Sequence, residues 1–171
     1  MRSRLDIVPH LDDLWRYARV LTRTDNDAED LVQEALTRAL SASKTYDESR
    51  PILPWLIGIV RNTHLTGLSQ QNAERRKSVH LTEIAQTSEM PAQEHSAELS
   101  LVQRAMEQLP TEFSEVLHLV GVLGFAYADA AKVLGIPTGT VMSRLSRARV
   151  ALKQSLEMPP PRMVGLRVVR G

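Results

Sequence analysis

Side chains suited to contacting nucleic acid are concentrated between residues 138 and 149 of this 171-residue chain. Val141, Leu145 and Ala148 recur there every three or four residues, which places them on one stripe of a helix. Arginine and serine occupy the other faces, and these side chains bind phosphates and base edges. The pattern is typical of a helix that enters a major groove, although an amphipathic surface helix with a solvated arginine face would also show it. The polar residues are Ser143, Arg144, Ser146, Arg147 and Arg149.

A short helix and a tight turn precede this segment, and together they predict a helix-turn-helix. Small and apolar residues between 128 and 134 favour the first helix, and Gly135 offers the left-handed conformation that ends it. Pro137 prevents that helix from continuing. Thr138 and Thr140 are expected to cap the free N–H groups at the start of the second helix.

Charge is segregated along the chain, although the formal net charge is only +1. Every charged residue from Asp25 to Glu34 is acidic, whereas the charged residues from Arg144 to Arg170 are basic apart from Glu157. The acidic segment should repel DNA and favour a basic protein surface, while the basic segment should favour DNA.

Composition bears on several other function classes. The chain has no cysteine, so it has no disulfide, no zinc-thiolate cluster and no thiol nucleophile. Its histidines lack metal-ligand spacing, and no catalytic serine triad order, glycine-rich phosphate loop or carboxylate pair indicates an enzyme. We therefore expect no cofactor, no metal and no small-molecule substrate. No signal peptide or bilayer-spanning run is visible, which predicts a cytoplasmic protein without membrane insertion.

Helical periodicity predicts an all-α fold of two small helical bundles joined by a flexible linker, with essentially no sheet. Trp55, Leu65 and Leu68 are expected on the apolar side of the N-terminal bundle, and Thr111 is expected to cap a helix of the C-terminal bundle. Besides the helix-turn-helix, the predicted helices span residues 8–22, 28–42, 55–71, 97–108 and 112–122.

The predicted domain organisation follows from where this periodicity fades. Residues 73–96 are polar and charged with few core residues, which indicates a linker between two modules. The predicted divisions are an N-terminal domain at 1–72, the linker at 73–96, a C-terminal domain at 97–157 and a basic tail at 158–171.

Motifs in both halves resemble one protein family. Residues 27–35, DAEDLVQEA, and 54–62, PWLIGIVRN, are similar to region 2 of the extracytoplasmic-function (ECF, group IV) sigma factors of bacterial RNA polymerase, within the sigma-70 family. The Leu-Pro pair at 109–110 and residues 124–149, which contain the helix-turn-helix, resemble region 4 of the same family. The resemblance covers most of the chain, and two motifs in this order are more specific than a helix-turn-helix alone.

This resemblance implies an alternative sigma factor that directs promoter-specific transcription initiation. The N-terminal domain would bind core polymerase and melt and read the −10 promoter element, and the C-terminal domain would read the −35 element. The implied partners are core RNA polymerase, through its β′ coiled coil and β flap, promoter DNA, and an anti-sigma factor. Such a factor would wedge between or wrap the two domains, and the linker would let them rearrange from a compact to an extended form.

Carried over by position, the resemblance gives three sets of site residues. Asn62 matches the position that captures a flipped non-template base, which suits an amide that both donates and accepts. Arginines on the same domain would hold the phosphates of the separated strand. The polymerase-binding residues are Asp30, Gln33, Glu34 and Thr37; the −10 residues are Arg61, Asn62, Arg75 and Arg76; the −35 residues are Thr138, Thr140, Met142, Ser143, Arg144, Ser146, Arg147 and Arg149.

The sequence departs from the family pattern at two places. Met142 and Ser146 stand where the best-known members carry an arginine and an aromatic residue, so the −35 preference cannot be copied from them. Residues 51–53 replace the usual more polar segment that precedes Trp55.

Two alternative functions stay open. One alternative function is that of a dimeric helix-turn-helix regulator that reads palindromic sites. The other is a sigma-like decoy that sequesters a regulator, although a decoy need not retain Asn62 or the arginines of the last helix.

Overall fold

A computed structural model describes residues 5–77, 102 and 104–157, and all regular structure within these residues is helical. The prediction of an all-α fold is confirmed. The predicted tail at 158–171, most of the predicted linker and half of the predicted helix at 97–108 lie outside the described residues.

The first two helices pack against each other, and a left-handed residue separates them. After a short 3-10 turn at Val8–His10, α1 (Leu11–Thr22) ends at Arg23, whose φ is 69°. The next helix, α2 (Asp25–Ser41), begins three residues before the predicted residue 28. Thr24 is its N-cap: the Asp27 N–H donates to the Thr24 hydroxyl oxygen at 3.2 Å, and the acids of the first turn face the positive end of the helix dipole.

The third helix is longer than the sequence pattern predicts. A 3-10 turn at Ser43–Thr45 lies in the loop that precedes it, and α3 then runs over Ile52–Lys77. It starts before Trp55 because Pro54 lies in the first turn, where its missing N–H costs no intrahelical hydrogen bond. Its last turns extend into the predicted linker at 73–96, since no glycine or proline interrupts residues 72–77.

The described part of the C-terminal half has a helical turn at 104–107, followed by α4 (Thr111–Val116). The predicted capping role of Thr111 is wrong: Pro110 takes the N-cap position, and Thr111 is already helical. The helix continues as a π-helical segment, Leu117–Val122, in which the Leu123 N–H donates to the carbonyl of His118 at 2.9 Å. This wider winding ends at Gly124, whose φ of 68° suits glycine.

The predicted helix-turn-helix is present as α5 (Tyr127–Leu134) and α6 (Thr138–Glu157). Gly135 has a φ of 65°, and the Ile136 N–H donates back to the carbonyl of Ala131 at 3.1 Å, which closes the end of α5 as expected. The carbonyl of Pro137 accepts from the N–H groups of Thr140 and Val141. Thr138 therefore lies within the first turn of α6 rather than preceding it.

Both halves of the chain contribute to one buried apolar cluster. α1 packs against α4, and α3 packs against α5, so the N-terminal helices α1–α3 and the C-terminal helices α4–α6 form two domains in direct contact. Leu14, Leu56 and Ile57 lie in this cluster from the first domain, and Val116 and Leu119 from the second. We call this packing of the two domains the closed arrangement.

Candidate nucleic-acid interface

Helix α6 presents a polar face because its apolar stripe holds it against the second domain. Val141, Leu145 and Ala148 are buried, as the sequence pattern predicts. The opposite face is open, and Met142 is 53% exposed in its centre. The remaining exposed residues of the predicted −35 set are Thr138, Ser143, Ser146, Arg147 and Arg149.

Arg144 and Thr140 are the half-buried members of this set. The guanidinium Nη2 of Arg144 lies 3.4 Å from Oε2 of Glu112 on α4, and the Thr140 carbonyl accepts from the Ser143 hydroxyl at 3.0 Å. An ion pair this open to solvent contributes little to stability. Arg144 can therefore exchange Glu112 for a phosphate without a large loss in folding free energy.

The outer face of α2 carries the predicted polymerase-binding set, and all of its members are exposed. Buried Leu31 and Ala35 hold the other face of the helix against the first domain. The Thr37 hydroxyl donates to the Gln33 carbonyl at 3.0 Å, and Glu34 pairs with Arg38 at 2.5 Å. This pair is solvent-exposed, so the carboxylate stays accessible to a basic partner.

Helix α3 carries the predicted −10 residues, which fall at two separate places along it. Asn62 is exposed near the middle of the helix, and Arg75 and Arg76 are exposed near its end. Thirteen residues separate Asn62 from Arg75, which corresponds to about 20 Å along the helix axis. These side chains could contact one extended strand but not one nucleotide.

Arg61 differs from the other −10 residues because it faces the second domain. Its side chain is only 18% exposed, and its Nε donates to Oε1 of Glu115 on α4 at 2.9 Å. The phenol of Tyr17 on α1 donates to the same carboxylate oxygen at 2.9 Å. We call Tyr17, Arg61 and Glu115 the Glu115 clasp; the sequence analysis did not identify it, because nothing local in the sequence links residues so far apart.

Burial and charge fix the direction of the hydrogen bond between Tyr17 and Glu115. Burial raises the pKa of Tyr17 well above its usual value, and the neighbouring Glu115 carboxylate raises it further. The phenol therefore stays protonated and donates. Glu115, only 9% exposed, accepts from an arginine and a phenol, which compensates its charge in a buried site.

His118 lies beside the clasp, with its ring centroid 5.9 Å from that of Tyr17. It is 5% exposed, and burial, followed by the charge of Arg16, lowers its pKa to about 4. Its Nε2 has no hydrogen-bond partner among the residues that the structure describes. The imidazole is therefore neutral and fixed by packing at neutral pH.

Further polar contacts join the two domains away from the clasp. Nη2 of Arg23 donates to the Leu109 carbonyl at 2.7 Å, and Nη2 of Arg19 lies 3.2 Å from Oε1 of Glu107. Leu65 and Leu68 were expected on the apolar side of the N-terminal bundle, but they are 43% and 42% exposed and line a shallow groove with Arg76. Trp55 is half-buried and packs on the core and on the ring of Tyr46, at a centroid distance of 5.2 Å.

The described residues contain neither a candidate metal centre nor a candidate membrane span. Within 5–77, 102 and 104–157, no group of three or more histidine, aspartate or glutamate side chains could hold a metal ion. None of the helices in these ranges is both long and apolar enough to span a bilayer.

Two family models match successive parts of the chain. The family model of Sigma-70 region 2 matches residues 7–74, and that of Sigma-70 region 4 matches residues 99–152. The first match covers α1 to α3, and the second covers the described helices from α4 through most of α6.

Relatives and solved structures of the same kind cover nearly the whole chain. The ECF RNA polymerase sigma factor EcfG of Rhodopseudomonas palustris is 34% identical over 90% of this chain and 84% of its own length. SigL of Mycobacterium tuberculosis, another ECF sigma factor, is 36% identical over 92% of this chain and 89% of its own. The sigma factor RpoE of Bartonella quintana, in a co-crystal with the anti-sigma factor NepR, gives a TM-score of 0.77 at 30% identity, with 91% and 96% of the two chains covered. The chain belongs to the ECF sigma factors of RNA polymerase, which are transcription initiation factors.

Proposed function

We propose that this sigma factor docks on core polymerase through α2, opens and reads the −10 element through α3, and reads the −35 element through α6. The observation that carries the proposal is the separation of charge on the surface: an exposed acidic face on α2 in the first domain, and an exposed serine and arginine face on α6 in the second. Each face lies opposite a buried stripe, so neither is needed for the core.

Docking rests on Asp30, Gln33, Glu34 and Thr37. Two carboxylates, an amide and a hydroxyl on one helix face suit a basic helical partner, which the resemblance identifies as the β′ coiled coil. The β flap would be the partner of the second domain. The same acidic face of α2 repels the phosphates of DNA. This repulsion orients the protein between enzyme and promoter.

Recognition of the −10 element rests on Asn62. An exposed amide on a rigid helix can donate to and accept from the edge of a flipped base. Arg75 and Arg76, about 20 Å further along α3, would follow the phosphates of the displaced strand. Arg61 would join them once it leaves Glu115.

Recognition of the −35 element rests on α6, whose N-terminal half would lie in the major groove. Arg147 is suited to a guanine or phosphate, and the serines and Thr138 to phosphates and base edges. Met142 lies in the middle of this face and would contact a thymine methyl group rather than a guanine. Arg144 and Arg149 would neutralise backbone phosphates on either side.

Control by an anti-sigma factor is part of the proposal. The similar RpoE of Bartonella quintana was crystallised with the anti-sigma factor NepR. A partner of that kind, wrapped around the two domains, would cover α6 and α3 and withhold them from promoter DNA. We place both proteins in the cytoplasm, where core polymerase and promoter DNA are available.

Run-off transcription with core polymerase tests this function. The wild type and the Asn62→Ala variant are compared on a duplex promoter and on the same promoter pre-melted at −10. Selective loss on the duplex is expected, because Asn62 acts in strand opening. Gln71→Ala, an exposed amide on the same helix, is the control and should behave as wild type. Inactivity of the wild type across a broad promoter library would instead favour the sigma-like decoy.

A further inference from the structure

The Glu115 clasp connects the domain interface with a residue of the proposed −10 surface. Arg61 belongs to α3 of the first domain, and Glu115 belongs to α4 of the second. Their Nε and Oε1 atoms are 2.9 Å apart, and both side chains are largely buried. While the two domains are closed, Arg61 has its Nε occupied and little surface to offer a ligand.

A carboxylate and a phosphate are alternative partners for the same guanidinium. Each presents anionic oxygens in a geometry that arginine binds through its N–H groups. A phosphate could replace Glu115 only if the carboxylate were rehydrated, because a buried carboxylate without its arginine carries a large desolvation cost. Rehydration of Glu115 requires α4 to move away from α1 and α3, that is, opening of the domains.

We infer that Glu115 is an internal competitor of DNA for Arg61, which couples domain opening to binding of the −10 strand. In the closed arrangement the carboxylate takes the place of a phosphate, and Tyr17 holds it there. In the open arrangement Arg61 is released to the strand. The inference rests on the proposed function for the part that assigns Arg61 a phosphate.

The coupling has a thermodynamic consequence. A ligand that binds only the open arrangement must supply the free energy of opening, so its apparent affinity falls by the fraction of molecules that are open. Weakening the clasp raises that fraction, and the apparent affinity for single-stranded DNA rises with it. A partner that clamps the domains in the closed arrangement therefore disfavours binding of the −10 strand.

The experiment measures opening and DNA binding separately. Because the chain has no cysteine, Glu48→Cys and Lys153→Cys introduce unique exposed sites for a fluorescence energy-transfer pair, one on each domain. Glu115→Gln removes the charge but keeps an acceptor for Tyr17. It should raise the open-to-closed ratio at least about tenfold, since a hydrogen bond to a charged group is lost. Its affinity for a −10 non-template oligonucleotide should rise by a similar factor.

Matched variants separate the clasp from other effects. Glu112→Gln removes an exposed carboxylate from the same helix, where its partner Arg144 is in the same domain, and should change neither readout. Tyr17→Phe should raise the open-to-closed ratio, as Glu115→Gln does. It replaces Glu115→Gln in the test if that variant does not fold. Combining Glu115→Gln with Arg61→Ala should abolish the gain in DNA affinity.

Two results would overturn the inference. If Glu115→Gln and Tyr17→Phe both leave energy transfer unchanged, the clasp does not hold the domains, while wild-type run-off transcription would still support the proposed function. If the domains open but the affinity for the oligonucleotide stays the same, Arg61 is not the group that Glu115 withholds from DNA.

Discussion

The imidazole of His118 and the phenol ring of Tyr17 lie 5.9 Å apart across the contact between the two domains. His118 comes from the π-helical segment that follows α4, and Tyr17 comes from α1. Burial in this contact lowers the pKa of His118 to about 4, with Arg16 adding to the effect. The same contact therefore couples domain packing to pH.

The closed arrangement should weaken as the pH falls below 6.5. A state that exposes His118 binds a proton near its ordinary pKa of about 6.5, whereas the buried imidazole resists protonation down to about 4. Above 6.5 both states are neutral at this residue and no dependence arises from it. Between 6.5 and 4 the closed arrangement loses up to about 3 kcal/mol.

Energy transfer between the labelled domains, recorded from pH 8 to pH 4, measures this loss. His118→Phe keeps a ring against Tyr17 but cannot titrate. Its profile should lose the component centred between 6.5 and 4 and keep the component that carboxylates contribute. Identical profiles for the variant and the wild type would exclude His118 as the responsible group.

The hydroxyl of Tyr17 should contribute to stability through the buried Glu115 carboxylate. Tyr17→Phe is expected to lower the free energy of unfolding by about 1.5–3 kcal/mol, the range for hydrogen bonds to charged groups. Urea denaturation measures the change. Tyr46→Phe removes an exposed hydroxyl that bonds the Arg50 carbonyl, and should cost distinctly less. Equal losses in the two variants would show that the buried Tyr17 hydrogen bond stabilises the fold no more than the exposed one of Tyr46.

Two glycines near the helix-turn-helix should respond differently to alanine. Gly135 has a φ of 65°, so Gly135→Ala should destabilise the second domain by about 1–2 kcal/mol. Gly139 lies in the first turn of α6 with open space around it, so Gly139→Ala should be neutral or stabilise by up to about 1 kcal/mol. Thermal unfolding followed by circular dichroism distinguishes them, and the same sign for both would contradict the turn geometry.

Arg147 should contribute directly to −35 binding by α6. Arg147→Ala is expected to cost about 1–3 kcal/mol if the side chain reads a base, and to change the specificity at that base pair. Lys153→Ala, near the far end of the same helix and paired with Glu157, is the control and should have little effect. Fluorescence anisotropy at several salt concentrations measures both. An unchanged affinity and salt slope for Arg147→Ala would remove it from the interface.

Local pattern was enough to predict the parts of the site that belong to one helix. The buried stripe of Val141, Leu145 and Ala148 follows from helical period, and the opposite face of α6 is therefore exposed. The left-handed Gly135 follows from the residue type and from the proline two positions later. The acidic face of α2 could be predicted for the same reasons.

Contacts between helices could not be predicted in this way. Glu115 and Tyr17 are hydrogen-bonded although 98 positions separate them in the sequence, and neither residue type predicts its partner. Leu65 and Leu68 continue the apolar period of α3, but the helices that the structure describes leave them exposed. The π-helical winding of Leu117–Val122 is likewise not encoded by helical period.

Binding to core RNA polymerase tests the central claim most directly. The purified chain is titrated against core enzyme, and a variant that carries Asp30→Asn and Glu34→Gln, with two charges removed from the exposed α2 face, is titrated in parallel. Wild type is expected to form a one-to-one complex, and the variant to bind at least about tenfold more weakly at low salt, because two carboxylates no longer attract the basic partner. Failure of the wild-type chain to associate with core enzyme would contradict the account, however tightly α6 binds a duplex.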